Sequence, residues 1–245
     1  MIKKKFKAAI LTKINNKLQI KDIAINTKLK RGQVLVKLKY SGICGKQIDE
    51  ISGVGGKDKF LPHLLGHEGS GVVKLAGPSV KKVKKNDKVI LHWIKGSGIQ
   101  SQTPTYFCGK KKINAGWVTT FNEYAIVSEN RLTKIPKGYS MQKSALFGCC
   151  ATTSLGLVYK KIKLNKHDSL LVVGCGGLGQ IIIQGAKNFN PKKITALDIS
   201  KKALSVAKKN GANNLINITL DKWKFAKKKK LLQQSHYNYR KFKSN

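Results

Sequence analysis

A glycine-rich segment, Gly174-Cys175-Gly176-Gly177-Leu178-Gly179, has the residue types and spacing of a turn that binds a dinucleotide. It directly follows the apolar run 169–173 and opens a segment with a helical period. Glycines permit a tight turn, and a pyrophosphate can then accept hydrogen bonds from backbone N–H groups at the positive end of the helix. We therefore predict that the pyrophosphate of a cofactor contacts Gly174, Gly176, Gly177, Leu178 and Gly179.

Asp198 is the candidate for recognition of the cofactor's ribose, because it ends the next predicted strand nineteen residues after Gly179. A carboxylate at this position can accept hydrogen bonds from both ribose hydroxyls and would repel a 2′-phosphate. NAD is therefore favoured over NADP. The alternative interpretation is a glycine-rich turn with an ordinary surface aspartate.

Three residues far apart in the chain, Cys44, His67 and Cys149, have side chains that bind zinc in other proteins. Two thiolates and one imidazole would fill three tetrahedral positions and leave the fourth for water or substrate, as in a catalytic site. Their spacing alone does not bring them together. A lone cysteine is more often a small core residue, and a lone histidine is more often a hydrogen-bonded polar one.

The elements that must position these residues change in type near residue 150. Before that point, short strands are predicted at 8–11, 33–38, 69–77, 87–91 and 121–127. After it, a helix at 153–161 precedes strands at 169–173 and 193–197, which alternate with helices at 179–187 and 201–209. This alternation predicts a parallel sheet preceded by a β-rich domain.

The ordered set Gly42-Ile43-Cys44-Gly45, Gly66-His67-Glu68-Gly69 and Gly148-Cys149, followed by the glycine motif, resembles the zinc-containing alcohol dehydrogenase (medium-chain) family over residues 1 to about 218. Weaker similarities are Asn86-Asp87-Lys88-Val89, Phe121-Asn122-Glu123-Tyr124 and Lys134-Ile135-Pro136. The resemblance implies a fold of class α/β plus β. A GroES-like β-barrel catalytic domain (1–150) would be followed by the N-terminal half of a Rossmann NAD-binding domain (151–220).

The resemblance also implies one catalytic zinc ion bound by Cys44, His67 and Cys149. Glu68 matches the acid beside the ligand histidine and is expected to act in catalysis, either by supporting the ligands or as a transient ligand itself. Cys149 matches better than Cys150, because Thr153 then coincides with a polar position of the family and is expected to contact the cofactor. The implied reaction is reversible oxidation of a small alcohol or polyol, in which zinc activates the hydroxyl and NAD accepts the hydride. A zinc-free quinone reductase of the same fold is disfavoured because all three ligand positions are filled.

Two residues that follow Cys44, the first candidate ligand, depart from the family pattern. Lys46 stands where most relatives carry serine or threonine, and Gln47 stands where relatives often carry aspartate. We hypothesise that Lys46 shuttles the alcohol's proton or binds an acidic or polyol substrate; the alternative is a solvent-facing lysine. An unchanged pH dependence of kcat in Lys46→Ala would remove it from the mechanism. A structural zinc site is not expected, since residues 95–117 contain only Cys108.

Composition bounds the class of protein. The chain has 49 basic and 11 acidic residues, a net charge of +38, but only three arginines and no nucleic-acid-binding motif. We expect the lysines to be spread over solvated faces of the protein. Specific nucleic-acid binding is the less favoured interpretation of the charge. The sequence contains no run of 18 apolar residues, so no membrane span is predicted. Five scattered cysteines favour a reducing cytoplasm over a disulfide framework.

The end of the chain carries a separate set of expectations. Residues 221–245 hold nine lysines and arginines against one acid, which predicts either an exposed tail or a reading frame lost near residue 221. Only three Rossmann strands are predicted, so the apolar strand at 170–173 would be an open edge. We expect impaired turnover and absence of the strands through which family homo-oligomers pair. The alternative function is an inactive dehydrogenase remnant.

Overall fold

The computed structural model describes residues 3–26 and 28–218, and the predicted tail at 221–245 lies outside them. The chain divides into two compact units, Met1–Cys149 and Cys150–Asn245. The predicted domain limits at residues 150 and 220 remain predictions. None of the helices in the described ranges is long and apolar enough to cross a membrane.

The first unit consists mainly of antiparallel strands with short helical segments. Its strands are β1 Lys3–Leu11, β2 Gln19–Asn26, β3 Gln33–Ser41, β4 His63–Leu64, β5 Gly69–Ala76, β6 Lys88–Leu91, β7 Tyr106–Cys108, β8 Lys111–Ile113, β9 Tyr124–Ser128 and β10 Leu132–Lys134. Its helical segments are α1 Gly45–Ser52, α2 Met141–Ser144 and the 3₁₀ turns Glu129–Arg131 and Ala145–Gly148.

These strands form two five-stranded sheets, with orders β4-β1-β2-β7-β8 and β10-β6-β5-β3-β9. A bridge between His63 of β4 and Asn114, just after β8, brings together the two ends of the first sheet. Leu64 N–H donates to the Asn114 carbonyl at 2.9 Å, and Asn114 N–H donates to the Pro62 carbonyl at 2.9 Å. The result is a nearly closed, barrel-like arrangement, as the predicted GroES-like barrel requires.

The inward faces of the two sheets are apolar. One cluster gathers around Tyr106, which is fully buried and packs edge-to-face on Phe6 with ring centroids 6.1 Å apart. Burial raises the pKa of Tyr106 to about 12, and its oxygen accepts a hydrogen bond from Ile126 N–H at 3.0 Å. A second cluster, built largely of valines, includes Val34, Val36 and Val89.

The second unit has the alternating pattern predicted for a partial Rossmann domain. Its elements are α3 Cys150–Gly156, a π-helical turn Leu157–Ile162, β11 Ser169–Val173, α4 Gly177–Lys187, β12 Lys193–Asp198, α5 Lys201–Asn210 and β13 Asn214–Asn217. The strands are parallel in the order β11-β12-β13. Within the described residues β11 pairs only with β12 and is an edge strand, as predicted.

Several elements of the first unit differ from the sequence predictions. The strand predicted at 121–127 begins at Tyr124, because the residues before it turn to meet β1, with Ala9 N–H donating to the Phe121 carbonyl at 2.8 Å. No strand is predicted at β2, where only Ile23 and Ile25 are buried while Ile20 is exposed. The helix α1 is also not predicted, because its eight residues are mostly polar.

Candidate metal centre

Cys44 is held at the beginning of α1. Its backbone is extended, and it is the N-cap residue of the helix, which ends at Gly53 in a left-handed conformation. Gly42, two residues earlier, packs against Glu68 so closely that a Cβ atom would lie 2.5 Å from the carboxylate. The strand-to-helix turn therefore carries the Cys44 thiol beside the segment that contains His67.

His67 lies in the connection between β4 and β5, directly after a constrained glycine. Gly66 has a φ of +88°, and a Cβ atom there would lie 2.3 Å from Thr120 Oγ1. Glycine alone adopts this conformation without strain and without a side chain to collide. The chain can therefore turn here and direct the imidazole toward the first turn of α1, where it contacts Gln47.

Cys149 follows the 3₁₀ turn Ala145–Gly148 and is the last residue of the first unit. Trp93 N–H donates to the Gly148 carbonyl at 3.1 Å, which ties this turn to the segment after β6. A Cβ atom on Gly148 would lie 2.3 Å from the Leu91 carbonyl and 2.7 Å from Glu68 Cα. Because Gly148 has no side chain, this segment can pack against Leu91 and Glu68 and bring Cys149 close to the other two candidate ligands.

The structure brings Cys44, His67 and Cys149 together, with their ligand atoms all within 4.8 Å of one another and each residue partly buried. Two thiols and an imidazole form a donor set that suits zinc, for which Zn–S distances are about 2.3 Å and Zn–N distances about 2.0–2.1 Å. The distances among the three ligand atoms are compatible with a small inward movement of the side chains around one ion. The residues present therefore fit the metal that the resemblance implies.

The imidazole of His67 has one nitrogen available to a metal. Nε2 is buried and has no hydrogen-bond partner among the described residues, while Nδ1 contacts the Gln47 amide. Burial lowers the pKa of His67, which favours the neutral ring that a metal requires.

Gln47 is a site residue that the sequence analysis noted only as a departure from the family. It is 2% exposed, its Oε1 accepts a hydrogen bond from Cys44 N–H at 3.2 Å, and its Nε2 contacts His67 Nδ1. The spacing of three residues between Cys44 and Gln47 is that of a helix N-cap and its N3 position, where Gln or Glu commonly reaches back. That spacing is the sequence signal from which the contact with Cys44, but not the contact with His67, could have been predicted.

The two residues predicted to be catalytic lie in different environments. Glu68 is 2% exposed and its backbone carbonyl accepts hydrogen bonds from Gly42 N–H at 3.1 Å and from the Ser41 hydroxyl at 3.2 Å. Lys46 is exposed in the first turn of α1. Burial raises the pKa of Glu50, one turn further along, and the positive charges of His63 and Lys46 partly offset that rise. Both catalytic roles remain predictions.

In the second unit, the predicted cofactor residues form the turn between β11 and α4. Gly174 has a φ of +85°, and its N–H donates to the Leu197 carbonyl at 2.9 Å. A Cβ atom on Gly179 would lie 2.1 Å from the Gly174 carbonyl oxygen, so the helix and the turn can pack only around glycine. Gly176 is the N-cap of α4, and no side chain caps this helix.

Asp198 lies at the end of β12 beside the same turn. Its Oδ2 accepts a hydrogen bond from Cys175 N–H at 2.6 Å, and its Oδ1 accepts one from Ser200 N–H at 2.7 Å. Since a carboxylate has about four acceptor sites, two such bonds leave acceptor sites for ribose hydroxyls. Thr153 is exposed on α3, and the hydroxyl of its neighbour Ser154 donates to the Leu178 carbonyl at 3.1 Å.

Comparison with known proteins gives a consistent set of relatives. Residues 30–137 match the family model of the alcohol dehydrogenase GroES-like domain. An S-(hydroxymethyl)glutathione dehydrogenase of Photobacterium damsela subsp. piscicida is 32% identical, and the match covers 77% of this chain and 58% of that protein. A protein of the same name from a Synechocystis strain is 30% identical, with 87% of this chain and 64% of the relative covered.

A solved structure, an alcohol dehydrogenase zinc-binding domain protein from Burkholderia ambifaria, has the same fold. Its TM-score is 0.80 at 23% identity, covering 88% of this chain and 65% of that one. The chain spans about three fifths of the length of the curated relatives described above. Residues 30–137 are therefore similar to an alcohol dehydrogenase GroES-like domain, the chain is similar to these dehydrogenases over most of its length, and it shares the fold of the zinc-binding relative.

Proposed function

We propose that this chain is the catalytic part of a zinc- and NAD-dependent oxidoreductase, which transfers hydride between an alcohol- or polyol-type substrate and NAD. The observation that carries the proposal is the convergence of Cys44, His67 and Cys149 within 4.8 Å. Similarity to the alcohol dehydrogenase GroES-like domain and to the curated dehydrogenases supports the class of reaction. The named activity of the curated relatives, on S-(hydroxymethyl)glutathione, supports a substrate that bears a hydroxymethyl group.

In this proposal Cys44, His67 and Cys149 would hold one zinc ion, which supplies Lewis-acid chemistry to an oxygen of the substrate. The lowered pKa of His67 keeps its ring neutral at neutral pH, so the lone pair on a ring nitrogen is available to the metal. Glu68 places a buried carboxylate one residue from His67. Lys46 would move the substrate's proton to solvent or bind an acidic substrate group, because its side chain is exposed near Cys44.

The second unit would bind the adenosine and pyrophosphate parts of NAD, which is the hydride acceptor. The turn from Gly174 to Gly179 offers backbone N–H groups at the start of α4, and a helix start favours the negative charge of a pyrophosphate. Asp198 would bind the ribose hydroxyls and disfavour NADP. Thr153 would contact the cofactor from α3. We infer a cytoplasmic location, since five scattered cysteines, an odd number, do not suggest a disulfide framework.

The test is metal analysis of the purified protein, which needs no substrate. We expect about one zinc ion per chain in the wild type and loss of most of it in Cys44→Ser, since a hydroxyl is a poor zinc ligand. Cys108→Ser is the matched control, because Cys108 lies in β7 outside the three-residue cluster and should leave the zinc content unchanged. Equal zinc in Cys44→Ser and the wild type would contradict the proposal.

A further inference from the structure

The Gln47 side chain joins two of the three candidate ligands. Its oxygen accepts from the backbone N–H of Cys44 at 3.2 Å, and its nitrogen contacts Nδ1 of the His67 ring. Gln47 is 2% exposed, so water cannot readily replace either contact. The amide is therefore positioned to act on both Cys44 and His67 at once.

The arrangement of donors and acceptors in this contact is suited to a metal-free ring. An amide nitrogen only donates, so His67 Nδ1 must accept, and the single proton of the neutral ring must then lie on Nε2. A metal at Nε2 needs the other tautomer, in which Nδ1 carries the proton and requires an acceptor. The acceptor that Gln47 offers is its oxygen, which already serves Cys44.

We propose that Gln47 is a positioning residue whose side-chain amide must flip, exchanging its oxygen and nitrogen, when the site binds metal. The oxygen then accepts from Cys44 N–H in the metal-free protein and from His67 Nδ1–H in the metal-loaded protein. The inference rests on the proposed function, namely that Cys44, His67 and Cys149 bind a metal ion. Cys44 N–H and His67 Nδ1 face opposite ends of the amide, so an oxygen turned toward His67 leaves the Cys44 N–H facing an amide donor in each metal-binding event. That competition weakens metal binding.

A carboxylate at position 47 would remove the competition, because its two oxygens can accept from Cys44 and His67 at the same time. We expect Gln47→Glu to bind zinc about 10- to 100-fold more tightly than the wild type, the range in which hydrogen-bond partners of metal ligands usually act. Gln19→Glu is the matched control for charge. It makes the same chemical change at an exposed position of β2 and should leave zinc affinity nearly unchanged.

The experiment is competition for Zn²⁺ between a chromophoric chelator and the wild type, Gln47→Glu and Gln19→Glu. Tighter binding confined to Gln47→Glu supports the inference. If the wild type binds zinc and Gln47→Glu binds it no more tightly than Gln19→Glu, the role of Gln47 is overturned while the metal site stands. A wild type with no zinc affinity would overturn the metal site and this inference together.

A second measurement separates hydrogen bonding from simple charge attraction and needs no substitution, so it remains decisive if Gln47→Glu does not fold. ¹⁵N spectra of histidine-labelled protein report which nitrogen of His67 carries the proton. On addition of Zn²⁺ to the wild type, we expect the proton to move to Nδ1 and the Cys44 backbone amide signal to shift upfield as it loses its acceptor. A Cys44 amide that keeps its hydrogen bond in the zinc-loaded protein would overturn the proposal.

Discussion

Glu129 shows how a single buried carboxylate organises part of the first unit. Its two oxygens accept hydrogen bonds from the backbone N–H groups of Lys81, Lys82 and Ile99 at 2.5, 2.7 and 2.9 Å. Burial by itself raises the pKa of Glu129, but these three donors outweigh it and the pKa is lowered. The ionised side chain therefore holds together two loops that are far apart in sequence.

We expect Glu129→Gln to lower the free energy of unfolding by about 1–3 kcal/mol at pH 7, because the amide replaces one acceptor oxygen with a donor that faces backbone N–H groups. Urea unfolding monitored by circular dichroism measures this change. Glu123→Gln is the control, since Glu123 is exposed and its carboxylate accepts a hydrogen bond from the single backbone N–H of Lys7, at 2.9 Å. It should change stability by no more than about 0.5 kcal/mol.

The same residue predicts a dependence of stability on pH. A carboxyl group with a lowered pKa in the folded state stabilises the protein above its unfolded pKa of about 4.3, and this contribution is lost as the pH falls through the folded value. Glu129→Gln should therefore lose less stability than the wild type between neutral and acid pH. Parallel stability curves for the two proteins over that range would contradict this assignment.

At the level of residues, the resemblance implied Cys44, His67 and Cys149 as candidate ligands, and the structure brings these three side chains together. Spacing alone could not do this, because Cys44 and Cys149 are 105 positions apart and are joined only by the folding of the barrel. Gln47 was missed for a different reason. Its role depends on a contact with His67, and a short polar helix gives no periodic signal that would place it there.

At the level of elements, the turn between β11 and α4 depends on one close backbone approach. A methyl group on Gly179 would meet the Gly174 carbonyl oxygen at 2.1 Å, and backbone atoms cannot move aside easily. We expect Gly179→Ala to destabilise the second unit by at least about 2 kcal/mol and to abolish NAD binding, because the turn must open. Thermal unfolding and NAD titration measure the two effects.

Gly156→Ala is the matched control for this prediction. Gly156 ends α3 with a helical φ of −58°, and a Cβ atom there would meet no atom of the described residues within 4 Å. Alanine should leave stability unchanged or raise it by about 0.5–1 kcal/mol, since the unfolded chain loses freedom. If both alanine variants behaved alike, the steric argument for Gly179 would be wrong.

The success of element prediction followed the strength of the local pattern. The helix α5 was predicted almost to the residue, because Ser200 caps its start and Gly211, with a φ of +121°, follows its end. The three-residue strands β7, β8 and β10 show too few alternations to be predicted. The pairing of β7 with β2 and of β10 with β6 comes from tertiary contacts, such as Phe107 opposite Ala24 and Leu132 opposite Leu91, which no local window contains.

At the level of the whole molecule, the net charge of +38 is the dominant electrostatic feature. We expect weak binding to DNA of any sequence at low salt. The affinity should fall steeply as the salt concentration rises, because the release of counterions from the phosphates then favours binding less. Fluorescence anisotropy with two unrelated duplexes at several salt concentrations measures this. Sequence-selective binding that persists at high salt would contradict the expectation and favour a nucleic-acid-binding function.

The position of Cys149 has a consequence for how the protein is made. It is the last residue of the first unit, so all three candidate ligands have been translated before the first residue of the parallel sheet. Because domains generally fold as units, beginning at the N-terminus during synthesis, the barrel can assemble its candidate ligands while the second unit is still being added by the ribosome. The proposed metal loading would thereby be separable in time from the proposed cofactor binding and would not have to wait for it.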